Sequence, residues 1–252
     1  MANPESAVYL AKLFSSEPSS HIEKWNGLWK DSYTPWDQGI SNPALLDAIT
    51  NHPELFPSAI LGEGKRRRAL VPGCGRGYDV PVLAELGYDA WGLEGSVDAV
   101  DACRKATKGK EHVGFVQGDF FGTEWEAECV GGEFDLIYDY TFFCALPPVK
   151  RPAWALKMSQ LLAKNGRLIC LEFPTTKPPS TGGPPWGITA ELYLEIFRHP
   201  GQDITYDDQG FVVGSEEGES KEAMQRIGHW KAERTLSYGT GKDWISVWEH
   251  SF

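Results

Sequence analysis

Four groups of residues have the types and spacing to hold a small organic ligand, and each stands where an apolar run ends. The first is the loop Val71-Pro72-Gly73-Cys74-Gly75-Arg76-Gly77. Its glycines let backbone approach a ligand that a Cβ would push away. A dinucleotide site prefers G-x-G-x-x-G with a helix N-terminus aimed at the pyrophosphate, so the G-x-G-x-G spacing here suits a nucleoside without phosphates. Alone, such a loop reads equally well as a tight turn. The second group is Glu94, 21 residues after Gly73, whose two oxygens can accept both hydroxyls of a ribose. Its competing reading is a charge that favours the helix beginning at Ser96. The third, Gly118-Asp119-Phe120-Phe121, offers a carboxylate for an adenine amino group and a ring to cover the base; the plainer reading is a turn Asp and a core Phe. The fourth is Asp139-Tyr140-Thr141-Phe142-Phe143-Cys144, whose polar groups can meet the reacting end of the ligand, although a tyrosine satisfied by backbone would look the same. Trp25, Trp29 and Trp36 can close over a cation with their ring faces. Core packing explains Trp25 and Trp29 equally well, and Trp36 in Thr-Pro-Trp-Asp less easily.

The elements that must position these groups follow from the hydrophobic pattern. From residue 67 apolar strands alternate with amphipathic helices: strands over 68–71, 90–94, 112–117, 134–140 and 167–173, and helices over 78–86, 96–106 and 152–163. This alternation predicts a parallel, doubly wound α/β sheet, in which ligands bind beyond the carboxyl ends of the strands. All four groups fall at such ends. Before the sheet, a loose N-terminal segment leads to a short aromatic helix with Ser20 and Glu23 as a capping box, and Ser41-Asn42-Pro43 opens a second helix. After it come a Pro/Gly-rich loop over 174–187, a helix over 188–197 and a last strand over 244–249. One domain over residues 1–252 is expected, with 1–60 as a helical lid and 61–252 as the α/β core.

Composition narrows the function. With 41% hydrophobic and 23% charged residues the chain can build a real core and lies away from the signature of disorder. A net charge of −11 argues against a nucleic-acid binder, since the one tight basic run, Lys65-Arg66-Arg67-Arg68, leads directly into a strand. Five cysteines without a C-x-x-C pair or zinc spacing point to reduced thiols, no metal and a cytoplasmic setting. No basic leader and no 18-residue apolar run points to a membrane. Nothing in the sequence speaks to oligomeric state.

The combination of motifs resembles a known family. Trp25-x3-Trp29-x6-Trp36-Asp37-x-Gly39, LVPGCGRGYDV, GLEGS, GDFF, FDLIYDYTFFCALPP, LICLEFP and GGPPW, spread over about residues 20 to 187, are similar to the thiopurine methyltransferase superfamily, and within it to the plant and fungal thiol and halide methyltransferases. The resemblance implies a class I methyltransferase fold, a Rossmann-like and mostly parallel seven-stranded sheet under an N-terminal helical lid. It implies S-adenosylmethionine as cofactor and S-adenosylhomocysteine as product. It places Trp25, Trp29, Trp36, the loop glycines Gly73, Gly75 and Gly77, Glu94, Asp119, Phe120 and Tyr140 around that cofactor. One departure is Trp186, where the plant enzymes carry Tyr after G-G-P-P, which argues against halide as the acceptor. The stretch from Ala232 to Phe252 has no functional reading at this level.

The mechanism expected is in-line transfer of the sulfonium methyl to a small-molecule acceptor, a thiol before any other. A thiol with a pKa of about 8.5 ionises enough near neutrality to react when merely oriented and desolvated. Tyr140 is the residue expected to position it, with Phe142 and Trp186 shaping an apolar pocket and Asp139 as the base to test if one is needed. O-, N- or halide methylation on the same fold, a NAD(P)-dependent oxidoreductase and a cofactor-binding module without turnover are the alternatives.

Overall fold

The computed structural model describes residues 4–15, 21–129, 132–215 and 218–252. Its centre is a seven-stranded sheet in the order β3-β2-β1-β4-β5-β9-β8. β1 (Arg68–Pro72), β2 (Asp89–Glu94), β3 (Val113–Gln117), β4 (Phe134–Tyr140) and β5 (Leu162–Glu172) run parallel. β6 (Thr205–Tyr206) and β7 (Val212–Val213) pair as a separate two-stranded sheet, while β9 (Trp244–His250) is antiparallel to β5, and β8 (Met224–Lys231) is antiparallel to β9. Strand order reverses between β1 and β4, which puts the ligand crevice over the carboxyl ends at that seam.

The central strands are apolar on both faces, as buried parallel strands must be. Ala69 and Val71 of β1, Leu136 and Tyr138 of β4, and Ile169 and Leu171 of β5 turn to one face. α3 (Pro43–Asn51), α4 (Asp79–Glu85) and α5 (Val97–Ala106) cover it. Leu70, Ile137, Leu168 and Cys170 turn to the other, under α6 (Arg151–Leu161) and α7 (Ala190–Arg198). Local chemistry sets the helix starts. Asn42 caps α3 by accepting from the Ala44 N–H at 3.0 Å with Pro43 in the first turn, and Thr189 caps α7 by accepting from Leu192.

The basic run is structural. Arg66 donates to the Ala84 carbonyl, Arg67 pairs with Asp135 at 2.6 Å, and Arg68 donates to the Cys129 carbonyl. All three tie the entry of β1 to neighbouring segments, which leaves no free basic patch there. Three expectations need correction. The N-terminal segment is not loose: Pro4–Leu13 forms a helix, α1, whose Leu10, together with Phe14 beyond it, packs with Leu28 of α2 (His21–Lys30). β5 begins five residues earlier than expected, because Leu162 pairs with Phe134 ahead of a register shift. β8 was not expected as a strand at all. Ser20 of the expected capping box lies outside the described residues. No helix among the described residues is long and apolar enough to cross a membrane.

Candidate active site

A cavity of about 320 Å³ runs along the carboxyl edge of the sheet, at the small end of the range for small-molecule sites. Strand order arranges its walls in sequence: the β3, β2, β1 and β4 ends, then β5, then the connection from β8 to β9. That connection reaches the same edge because β9 is reversed, so its first residue Trp244 lies opposite Glu172 at the end of β5.

The turn after β1 holds Gly73, Gly75 and Gly77 at φ of +58°, +56° and +68°, the left-handed region that glycine enters without strain. Only Gly73 and Gly75 line the cavity. A Cβ on Gly77 would run into the Phe115 ring and Cys103 behind the loop, so this glycine serves packing and does not face the ligand. Glu94 accepts from the Gly75 N–H with one oxygen and from the Ser96 N–H with the other, both at 3.0 Å. Glu94 lines the cavity, and each oxygen has capacity to accept a further hydrogen bond. Burial pushes the Glu94 pKa up, and the backbone donors Ser96, Gly75 and Gly95 offset part of that. The helix-terminus and ribose readings of Glu94 therefore coexist in one geometry.

At the β3 end Asp119 accepts from the Phe121 N–H at 3.0 Å through Oδ1. Phe120 is buried and meets Phe142 edge-on, ring centroids 5.1 Å apart, so both rings form one apolar shelf. The tryptophans come together above. Trp36 stands edge-on to Trp25 and to Trp29 at 5.0 and 5.8 Å, and all three line the cavity. Arg76 fastens this lid to the glycine loop: its Nε donates to Asp37 at 2.7 Å and its guanidinium lies 5.4 Å over Trp29.

At the β4 end Tyr140 lines the cavity, followed by Thr141 at φ +63°, a strained conformation for a β-branched residue. Asp139 does not line it. Its oxygens accept from the Phe143 N–H at 3.1 Å and Trp154 Nε1 at 3.0 Å, and burial raises its pKa to about 7. Strand alternation turns Asp139 away from the ligand and under the 140–147 loop, where it supports the wall and cannot reach an acceptor. Trp186 also departs from expectation. Pro184 and Pro185 face the cavity, while Trp186 turns back to join Leu10, Phe14 and Leu28 beneath the lid.

Sequence reasoning missed three residues. Asp79, at the start of α4, lines the cavity and accepts from the Asn42 N–H at 3.3 Å; burial raises its pKa to about 7. Its place one turn after the glycine loop was the available signal. Leu236 and Tyr238 enter from the 232–243 connection, and the Tyr238 hydroxyl is hydrogen-bonded to that of Tyr140. No local signal marks them.

A doubly wound sheet with a glycine turn after β1, a buried carboxylate at the end of β2 and three tryptophans over the crevice is the arrangement of a class I methyltransferase using S-adenosylmethionine. Residues 20–228 match the thiopurine S-methyltransferase (TPMT) family, and the chain belongs to it. It is 35% identical over 216 residues to "Probable thiol methyltransferase 2" of Arabidopsis thaliana, covering 84% of this chain and 86% of that protein. It is 34% identical to "Thiocyanate methyltransferase 1" of Brassica oleracea, covering 82% of this chain and 84% of that one. Among solved structures, an S-adenosylmethionine-dependent methyltransferase from Anabaena variabilis superposes with a TM-score of 0.59 at 15% identity, over 91% of this chain and 94% of that one, which shows the shared fold.

Proposed function

We propose that the protein transfers the methyl group of S-adenosylmethionine to a small-molecule thiol. The observation that carries this is the character of the cavity beyond β4, where Tyr140, Phe173, Pro184, Pro185, Leu236 and Tyr238 supply hydroxyls and apolar surface and no base. Burial pushes the Tyr140 pKa far up and that of Tyr238 to about 12, so both stay protonated and neither serves as a base. The acceptor must ionise by itself. A thiol does so near its pKa of about 8.5, whereas a phenol or amine near 10 does so far less. The thiol and thiocyanate methyltransferases among the relatives support the same reading.

In this assignment Asp119 and Phe120 hold adenine, Glu94 the ribose, and the three tryptophans surround the sulfonium. Asp79, the carboxylate at the methionine end, takes the α-ammonium. Residues 1–60 act as the lid of one domain. Five free cysteines support a cytoplasmic setting.

The test is kcat/KM against pH for two thiols of different acidity. The inflection is expected to move with the pKa of the acceptor. One inflection shared by both thiols, belonging to the enzyme, would overturn catalysis without a base. Asp79, which lines the cavity, would then be the residue to replace, ahead of Asp139.

A further inference from the structure

The acceptor end of the cavity differs from the rest in its charge. The arginine and lysine that line the cavity stand elsewhere: Arg76 is paired with Asp37 at the lid, and the Lys150 ammonium lies 4.9 Å over the Phe121 ring near the β3 end. The loop that carries Tyr238 holds the carboxylate Asp243, which accepts from Thr235. Among the described residues no arginine or lysine lines this end, and Lys177, the cation nearest the proline wall, is engaged with the Gly182 and Pro185 carbonyls at 2.8 and 2.6 Å.

Tyr238 is held in place from several directions. Its ring stands edge-on to Phe173 at 5.3 Å. Its loop is closed by Thr235, which donates to Asp243 at 2.5 Å, and by the Asp243 N–H donating to the Gly239 carbonyl at 3.0 Å. Asn42, buried at the start of α3, donates from its side-chain amide to Thr235 Oγ1 at 3.0 Å. Two hydroxyls in one hydrogen bond leave one proton free. Either tyrosine can be the donor in that bond; where Tyr140 donates, the Tyr238 proton remains for the cavity.

We propose that Tyr238 is the acceptor-binding residue, and that its hydroxyl holds the sulfur of a thiol whose remaining body is uncharged and apolar, packed against Leu236, Phe173 and the two prolines. The proposal rests on the thiol reading above and goes beyond it in naming the class of thiol and the residue that selects it. The thiol loses its proton to water. The thiolate lone pair forms the new S–CH3 bond while the sulfonium C–S bond breaks with its electrons kept on the cofactor sulfur. A negative and a positive charge merge into two neutral thioethers, a step that apolar surroundings favour and a fixed cation beside the thiolate would oppose. One hydroxyl donor orients the sulfur without holding its charge too firmly. Tyr238 lies beyond the stretch 20–228 that matches the family, which suits a residue that sets this chain's own selectivity.

The experiment compares phenylmethanethiol, mercaptoacetate and thiocyanate as acceptors for the wild type and Tyr238→Phe, with calorimetric binding of S-adenosylhomocysteine as the control for folding. Wild-type kcat/KM is expected to favour phenylmethanethiol by 100-fold or more over both anionic acceptors. In Tyr238→Phe the KM for phenylmethanethiol is expected to rise about tenfold, as loss of a hydrogen bond to a charged group implies, with kcat within about twofold and S-adenosylhomocysteine affinity unchanged. Thiocyanate or mercaptoacetate used as well as phenylmethanethiol, or an unchanged KM in the variant, would overturn the proposal and leave the thiol reading standing. Methylation of a phenol or amine with none of any thiol would overturn both.

Discussion

The two halves of the cavity are built in different ways. The cofactor half, over β1 to β3, is held by contacts close in sequence: Gly75 to Glu94 spans 19 residues, and Glu94 to Ser96 spans two. The acceptor half depends on long reaches, 98 residues from Tyr140 to Tyr238 and 193 from Asn42 to Thr235. A ligand common to many enzymes can be gripped by a compact piece of chain whose geometry is set locally. The surface that chooses the acceptor is assembled from segments that meet only after the sheet has closed, so it can change without disturbing the cofactor grip.

The comparison breaks most visibly at Gly73. A side chain there must adopt φ +58° and would run into the Phe142 ring of the loop after β4. With about 1–3 kcal/mol of backbone strain added to the clash, Gly73→Val is expected to lower S-adenosylhomocysteine affinity by more than about 100-fold in calorimetry. Retained affinity would show that the loop is only a turn. Glu94→Ala should follow, with a loss of about 1.5–3 kcal/mol in binding and an intact circular-dichroism spectrum, since it removes charge-assisted hydrogen bonds to the ribose. Unchanged affinity in a folded variant would remove Glu94 from the cofactor half.

The smallest effect tests the border between the halves. If Asp79 grips the α-ammonium, Asp79→Asn should weaken S-adenosylhomocysteine about tenfold at pH 8 and leave 5′-methylthioadenosine, which lacks the amino-acid part, unaffected. The Asp79 pKa is raised from 3.8 to about 7 by burial, so wild-type affinity should fall as the pH drops below 7, while the variant stays flat between pH 6 and 8. The same shift has a stability sign. A carboxyl with a raised native pKa stabilises the fold when protonated, and that contribution is lost as the pH rises through about 7. Unliganded Asp79→Asn should therefore melt above the wild type at pH 8, with the gap closing toward pH 4. Equal weakening of both ligands would move Asp79 out of the methionine end.

Where sequence reasoning failed, the failures have physical causes. β8 reads Met224-Gln-Arg-Ile-Gly-His-Trp-Lys231, with charges along its length and a register shift beside Gly228, so the period of two that marks a half-buried strand is broken. α1 is short, and its buried side is explained by Leu28, Trp186 and the aromatic rings packed with them, which no local pattern places beside it. Asp139, the base to test if one is needed, and Trp186, placed by the GGPPW motif, stand beside residues that line the cavity, but strand alternation and a turn of the proline-rich loop point both of them elsewhere.

What the chain determined by itself is the alternation of apolar strands and amphipathic helices, the glycine turn, and the carboxylates and aromatic residues that end β2 and β3. These follow from side-chain periodicity and from φ values allowed within a few residues of one another. What only the tertiary structure decided is the other half: that β9 runs backwards, that the 232–243 connection therefore returns to the carboxyl edge, and that Tyr238 meets Tyr140 there. A hydroxyl's partner across 98 residues is selected by the packing of the whole sheet, and no pattern local to either tyrosine carries that information.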